Sequence, residues 1–267
     1  MKTPRVLSYV LSIFLIVAIW KMLSLLISSP VLPSPEEAIL AFAASLGTPG
    51  FWRHFGESAF RVVVSMVIGL LIAFPLGIAL GYNSKLDKVL SPGLFLTYPI
   101  PKIVFLPVIF VLFGLGNVSR IVLITVIISY QLLVIIRDGV AGINRKHVET
   151  IRSMGGNRLH IVRHVLVPGA LPSCFTALRL STGTAITILF LAETFATNEG
   201  LGYYIMDSWS RAAYDELFVG IIGMGLLGVI FYGIFSALEK SVCHWKRLES
   251  VREGGNTANT TNVKYYK

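Results

Sequence analysis

The sequence predicts an all-α membrane protein with six transmembrane helices. Hydrophobic residues make up 54% of the chain and charged residues only 14%, whereas soluble globular proteins carry about a quarter charged residues. The mean hydropathy is +0.73. A spanning helix needs about 20 mostly apolar residues. The segments that approach this length are 6–27, 58–80, 89–113, 119–136, 170–196 and 217–240.

The basic residues predict how these segments are oriented. Lysines and arginines are concentrated before the first segment, between the second and third, between the fourth and fifth, and after the sixth. The 197–216 connection instead contains four acidic residues and only one arginine. Because cytoplasmic loops carry an excess of Lys and Arg, we expect both termini and the 137–169 loop to be cytoplasmic. The net charge of +9 then reflects orientation in a lipid bilayer, and no nucleic-acid partner is expected.

Residues 1–57 are predicted to form the first transmembrane helix and an external link. A secretory signal is the alternative for the first apolar run, but no small-residue cleavage site follows it directly. Ser34 and the sequence Pro35-Glu36-Glu37 predict a short helix within the link, since proline and acidic residues favour a first helical turn. Residues 246–267 are polar and are predicted to form a cytoplasmic tail.

The second and third segments carry different signals. Small residues recur every four positions in the second, at Gly69, Ala73, Gly77 and Gly81, which predicts close packing against another helix. The third segment is interrupted by Pro99, Pro101 and Pro107. Interrupted helices at membrane depth face protein or a water-filled cavity. Residues 98–107 are therefore a candidate pathway element, and a merely bent helix is the alternative.

Three ionisable residues stand out at or inside the spans: Lys102, Arg179 and Glu193. Such groups are costly in hydrocarbon and usually pair or line a pathway. Two cations against a single acid favour an anionic solute. In the competing interpretation, Lys102 reaches the external interface and Arg179 binds helix-end carbonyls, which leaves no charge preference.

The sequence argues against several kinds of chemistry. It contains no Gly-Lys pair and so no Walker A loop for ATP. The pair His160 and His164 lies beside Arg158 and Arg163, which disfavours a metal. No nucleophile–base arrangement stands out. We therefore predict no catalytic residues, no metal site and no cofactor.

Residues 149–172, which we call the elbow, form the longest polar and basic interruption between apolar segments. Gly155 lies six residues after Glu149, and Pro168 follows thirteen residues later. The spacing predicts a short helix, a break at Gly155-Gly156, a second helical turn and a proline that restarts the chain into the membrane. Such an elbow suits docking of a soluble partner.

The elbow resembles the EAA loop of permease subunits of binding-protein-dependent ABC importers. Glu149, Thr150 and Ile151 occupy the Glu-Ala-Ala positions, Gly155 the glycine and Pro168 the proline. The segments 97–116, 176–185 and 191–205 resemble the nitrate, sulfonate and taurine branch of these permeases. The resemblance covers a permease core at 58–245 with five transmembrane helices.

The resemblance implies a type I ABC importer permease fold in a prokaryotic inner membrane. It implies two cytoplasmic ATP-binding subunits, an extracytoplasmic solute-binding protein and a second permease chain, in a homodimer. Residues 146–154 would be the coupling helix. The cargo would be a small anion of the sulfonate, nitrate or taurine type, although Pro101-Lys102 also resembles importers of thiamine-precursor pyrimidines. A secondary transporter is the rival class, supported only by the membrane acid Glu193.

Overall fold

The structure is a computed structural model that describes residues 5–245, without the side chains of residues 5, 6, 8 and 9. Every regular element in this range is helical. The α-helices are α1 (Arg5–Ile27), α2 (Pro35–Ser45), α3 (Pro49–Tyr82), α4 (Ser84–Thr97), α5 (Leu106–Phe113), α6 (Asn117–Ala141), α7 (Arg145–Ser153), α8 (Arg158–Ile161), α9 (Val167–Glu193), α10 (Leu201–Ser210) and α11 (Tyr214–Val242). A 3-10 turn at Lys102–Phe105 precedes α5, and a π turn at Val162–Leu166 precedes α9.

Within the described residues, five helical segments are long and apolar enough to cross a membrane: α1, α3, α6, α11 and the continuous run from α8 to α9. The third predicted span, 89–113, is a bent pair of helices. Helix α4 and the 102–113 segment meet at 80°. The expected interruption near Pro99 and Pro101 is therefore confirmed. The boundary expected at 57/58 falls inside α3, which starts at Pro49.

The predicted small-residue stripe packs α3 against α6. A Cβ atom on Gly77 would lie 2.9 Å from the Ile136 Cβ, and one on Gly81 would lie 2.5 Å from the Arg137 carbonyl oxygen. Only glycine permits this approach. Helix α9 packs against α6 and also contacts α3. These three helices form the centre of the bundle.

The start of α2 is also as predicted. Ser34 and Glu37 form a capping box: the Ser34 Oγ accepts a bond from the Glu37 N–H, and the Glu37 carboxylate accepts one from the Ser34 N–H. This backbone bond is the main reason why the pKa of the Glu37 carboxyl is lowered. The predicted tail at 246–267 lies outside the described residues.

The apolar core has two parts along the bundle. One lies near the elbow and includes Leu132, Ile136 and Ile161. The other lies at the opposite end of the bundle and includes Phe51, Leu189 and Leu201. The elbow lies at one end of this core and the loop between α9 and α10 lies at the other. The bend between α4 and α5 lies between these two ends.

Candidate functional site

The elbow begins with α7, a helix anchored to the bundle along one side only. Val148 and Ile151 are its half-buried residues, and both pack against the core near the elbow. The Arg152 guanidinium donates to the Tyr82 hydroxyl at the end of α3, at 3.1 Å. Glu149 and Thr150 point away from this contact and are exposed. The helix is thus held rigidly while one polar side remains open.

Gly155 and Gly156 end α7 in a Schellman motif. Gly155 has a φ of +78°, a left-handed conformation that glycine adopts without steric cost. The Gly156 N–H donates to the Ile151 carbonyl and the Gly155 N–H to the Arg152 carbonyl, both at 2.9 Å. A Cβ on Gly156 would lie 2.5 Å from the Ile151 Cγ2. The sequence prediction of a helix break at this position is confirmed.

The second half of the elbow differs from the expectation in one respect. Pro168 occupies the first turn of α9, but it does not restart the chain: the helix runs on from Arg158 to Glu193. Proline lacks the N–H and clashes with the carbonyl four residues earlier. The π turn at Val162–Leu166, in which the Val167 N–H bonds to the Val162 carbonyl, accommodates this clash without a break.

A buried charge cluster occupies the opposite end of the bundle. Glu193 and Arg61 are 0% and 1% exposed, and the Arg61 Nη1 donates to the Glu193 Oε1 at 2.5 Å. Glu193 also accepts from the Ser58 hydroxyl at 2.8 Å and from the Gly202 N–H at 2.9 Å. Because every oxygen of this acid is bonded within the protein, Glu193 is a structural residue in this conformation.

The same cluster fixes the loop between α9 and α10. The Arg61 Nη1 donates to the Glu199 carbonyl at 3.0 Å, and Gly200, with a φ of +110°, passes against the Glu193 carboxylate. Arg120 is 1% exposed and donates to five backbone carbonyls around this loop: those of Leu115, Gly116, Ala192, Phe195 and Ala196.

An exposed ion pair continues the cluster to the surface. Arg53 binds the Glu199 carboxylate, and this bond is the main reason why the pKa of Glu199 is lowered. The sequence analysis missed both buried arginines, Arg61 and Arg120. They lie inside the second and fourth predicted spans. An arginine within an apolar segment is costly unless it is paired, and this position could have identified both residues from the sequence.

The three ionisable residues predicted for the pathway do not meet. Arg179 forms an ion pair with Glu239 of α11, and Glu193 pairs with Arg61. Among the described residues, Glu193 therefore neutralises neither Lys102 nor Arg179. The charge count behind an anionic cargo is wrong, because it left out Arg61, Arg120 and Glu239.

Lys102 is the candidate that remains at the pathway element. Its Nζ donates to the Thr97 and Tyr98 carbonyls at 3.2 and 3.4 Å, and it lies 4.1 Å from the centroid of the Tyr130 ring. In contrast to the competing interpretation, it is Lys102 that binds helix-end carbonyls, and Arg179 pairs with Glu239 instead. Tyr130 lies in the middle of α6, so this lysine sits at the bend, about midway along the bundle, and is partly exposed.

Known proteins resemble this chain over most of its length. It is 28% identical to the taurine transport system permease protein TauC of Escherichia coli, over 85% of this chain and 84% of that protein. It is 27% identical to the putative aliphatic sulfonates transport permease protein SsuC of Bacillus subtilis, over 86% of this chain and 84% of that protein.

A solved structure shares the fold. The inward-facing MetNI methionine ABC transporter matches with a TM-score of 0.61 and 23% identity, covering 72% of this chain and 96% of that one. The model of the family "Binding-protein-dependent transport system inner membrane component" matches residues 65–243. The chain therefore belongs to this family, the permease subunits of ABC importers, in which a partner chain hydrolyses ATP and a solute-binding protein delivers the cargo.

Proposed function

We propose that this permease imports a small sulfonate, and that α7 passes the effect of ATP hydrolysis to the bundle. The coupling role is inferred from one observation: α7 is anchored to the core on one side and exposes polar residues on the other. Val148 and Ile151 fix α7 to the core, so a force applied to Glu149 and Thr150 moves the bundle rather than bending a loop. Gly155 and Pro168 supply the turn and the connection into α9.

The proposed orientation places the elbow, and with it both termini, in the cytoplasm. The basic residues of α7 and α8, and of the connection around Lys85, all fall at the elbow end of the bundle. The acidic residues of α10 and the start of α11 fall at the opposite end. This asymmetry is the one that the positive-inside rule describes.

The proposed assembly contains two copies of this chain, two ATP-binding subunits and one solute-binding protein. In residues 5–245 of one copy, the bend at residues 98–105 and the polar residues Thr184 and Thr187 of α9 are partly or fully exposed, so they line no closed conduit there. A second copy facing them would close the conduit. Pro99, Pro101, Lys102 and Pro107 would then line it, while Arg179 and Glu193 would hold the helices that form its wall.

The cargo assignment rests on the relatives named for taurine and aliphatic sulfonates, and they favour an anion over a neutral pyrimidine. A secondary transporter needs its own ion-coupling group, and Glu193 is occupied by Arg61.

Uptake tests the proposal. The chain is expressed with candidate ATPase and solute-binding proteins, and accumulation of ³⁵S-labelled sulfonates and of a ¹⁴C-labelled pyrimidine is measured. Accumulation that needs all three proteins and disappears with an ATPase lacking its Walker lysine supports the proposal. Accumulation of a pyrimidine, but of no sulfonate, refutes the cargo assignment.

A further inference from the structure

A cavity of about 310 Å³ lies between α3, α4 and α6. Its wall is made almost entirely of aliphatic side chains and glycine, including those of Leu76, Leu80, Leu90, Gly93 and Leu94. Volumes from about 300 Å³ upward are typical of sites for small molecules. The lining offers no carboxylate, so the body of a molecule bound there would be apolar and would carry no cationic group.

Tyr130 connects this cavity to the bend of the chain. It is part of the cavity wall, and its hydroxyl donates to the Leu94 carbonyl at 3.3 Å. The Lys102 Nζ lies 4.1 Å from the centroid of the same ring. One aromatic ring therefore borders both an aliphatic cavity, open at the surface, and a positive charge.

The Lys102 ammonium retains capacity for a further partner. An ammonium has three N–H donors, and two of them reach the Thr97 and Tyr98 carbonyls. Among residues 5–245, no carboxylate lies within ion-pair distance of this lysine. Lys102 is partly exposed at the bend of a candidate span, and a cation at that depth without an acid favours an anionic ligand.

We propose that the cavity and Lys102 together form a transient binding site for an aliphatic sulfonate, with the alkyl chain in the cavity and the sulfonate at the ammonium. This inference rests on the proposed function and narrows it. Taurine carries an ammonium group at the end of its short chain, and in the cavity that group would lose its hydration and meet no acid. The site therefore selects plain alkanesulfonates over taurine.

Labelling of a cysteine placed in the cavity wall tests the site on the permease alone. Gly93→Cys suits this purpose, because a Cβ at Gly93 meets only open space. Gly225→Cys of α11 is the matched control, as its Cβ is equally open and Gly225 does not line the cavity. Leu90→Cys is the second cavity variant, in case Gly93→Cys does not fold. The purified protein is held in phosphatidylcholine nanodiscs.

Each variant is treated with an anionic and a cationic methanethiosulfonate reagent, and the ratio of the two rates is measured. For Gly93→Cys we expect this ratio to fall by up to about thirtyfold when Lys102→Met removes the charge, because one unit charge at about 4 Å in water changes each rate about fivefold and in opposite directions. The ratio for Gly225→Cys should not change. Pentanesulfonate should protect the cavity cysteine, and taurine at the same concentration should not.

Three results would overturn the proposal: a ratio that does not respond to Lys102→Met, equal protection by taurine and pentanesulfonate, or protection that requires phosphatidylglycerol in the nanodisc. The third would assign the site to an anionic lipid. These measurements need no ATPase, so a negative result beside normal sulfonate uptake rejects only this site. Loss of uptake in every sulfonate assay would instead reject the proposed function.

Discussion

Arg61 and Glu193 form an ion pair that is enclosed on all sides at the end of the bundle opposite the elbow, with 2.5 Å between Nη1 and Oε1. The two residues lie on different helices, α3 and α9, and 132 positions apart in the sequence. The pair joins the start of one predicted span to the end of another. It also holds the loop that leads into α10, through the Glu199 carbonyl.

We predict that Glu193→Gln destabilises the protein strongly. It removes the carboxylate closest to the buried Arg61 guanidinium and leaves only that of Glu57, at 3.7 Å; removing one partner of a buried pair typically costs about 3–5 kcal/mol. The double variant Arg61→Met, Glu193→Gln should recover part of this loss, because it removes the buried cation as well. Thermal unfolding in detergent measures both. A double variant less stable than Glu193→Gln would mean that the pair is not the source of the effect.

We predict that Gly81→Ala weakens the packing of α3 on α6. The added methyl would lie 2.5 Å from the Arg137 carbonyl oxygen, and overpacking of this kind costs about 1–3 kcal/mol. Gly56→Ala on the same helix is the control, because its Cβ would meet nothing within 4 Å. Alanine there should stabilise the helix by about 0.5–1 kcal/mol. Equal melting temperatures for the two variants would contradict the packing argument.

The packing stripe and the elbow turn were predictable because each depends on local spacing. Small residues four apart define one helix face, and Gly155-Gly156 ends a helix through backbone geometry alone. The ion pairs were not predictable in the same way. Arg61 finds Glu193, and Arg179 finds Glu239, through tertiary packing of helices whose relative rotation the sequence does not specify. The π turn before Pro168 was not predictable either, because it forms only when the helix continues across the proline, and the sequence pattern alone suggested a break there.

We predict opposite sidedness for the two ends of the bundle. Single cysteines at Arg145, at the start of α7, and at Asp207, on α10, are both at exposed or half-exposed positions. A membrane-impermeant maleimide should label Asp207→Cys in intact cells, and Arg145→Cys only after the cells are opened. The native residues Cys174 and Cys243 are buried, and the unsubstituted protein provides the blank. Labelling of both positions from outside would refute the topology.

We predict different consequences for the two cations once assigned to the pathway. Lys102→Met removes a positive charge at the bend and should reduce sulfonate uptake sharply, with normal expression. Arg179→Met breaks the ion pair with Glu239 and should lower stability by less than the about 3–5 kcal/mol typical of a fully buried pair, because both side chains are partly exposed; which sulfonates are preferred should not change. Uptake assays and melting curves separate the two. Unchanged uptake for Lys102→Met would remove the electrostatic role of this lysine.

The central claim is that α7 receives the effect of ATP hydrolysis, and stimulation of the partner ATPase by the permease tests it most directly. The complex is reconstituted with its solute-binding protein, and the ATP hydrolysis rate is compared for the wild type, Glu149→Lys and Gly155→Trp. Glu216→Lys, also exposed but at the other end of the bundle, is the charge-matched control. Hydrolysis and sulfonate uptake should both fall in the two elbow variants, while the permease stays inserted and the control retains its stimulation. Full stimulation and normal uptake in both elbow variants would contradict the coupling role of this helix.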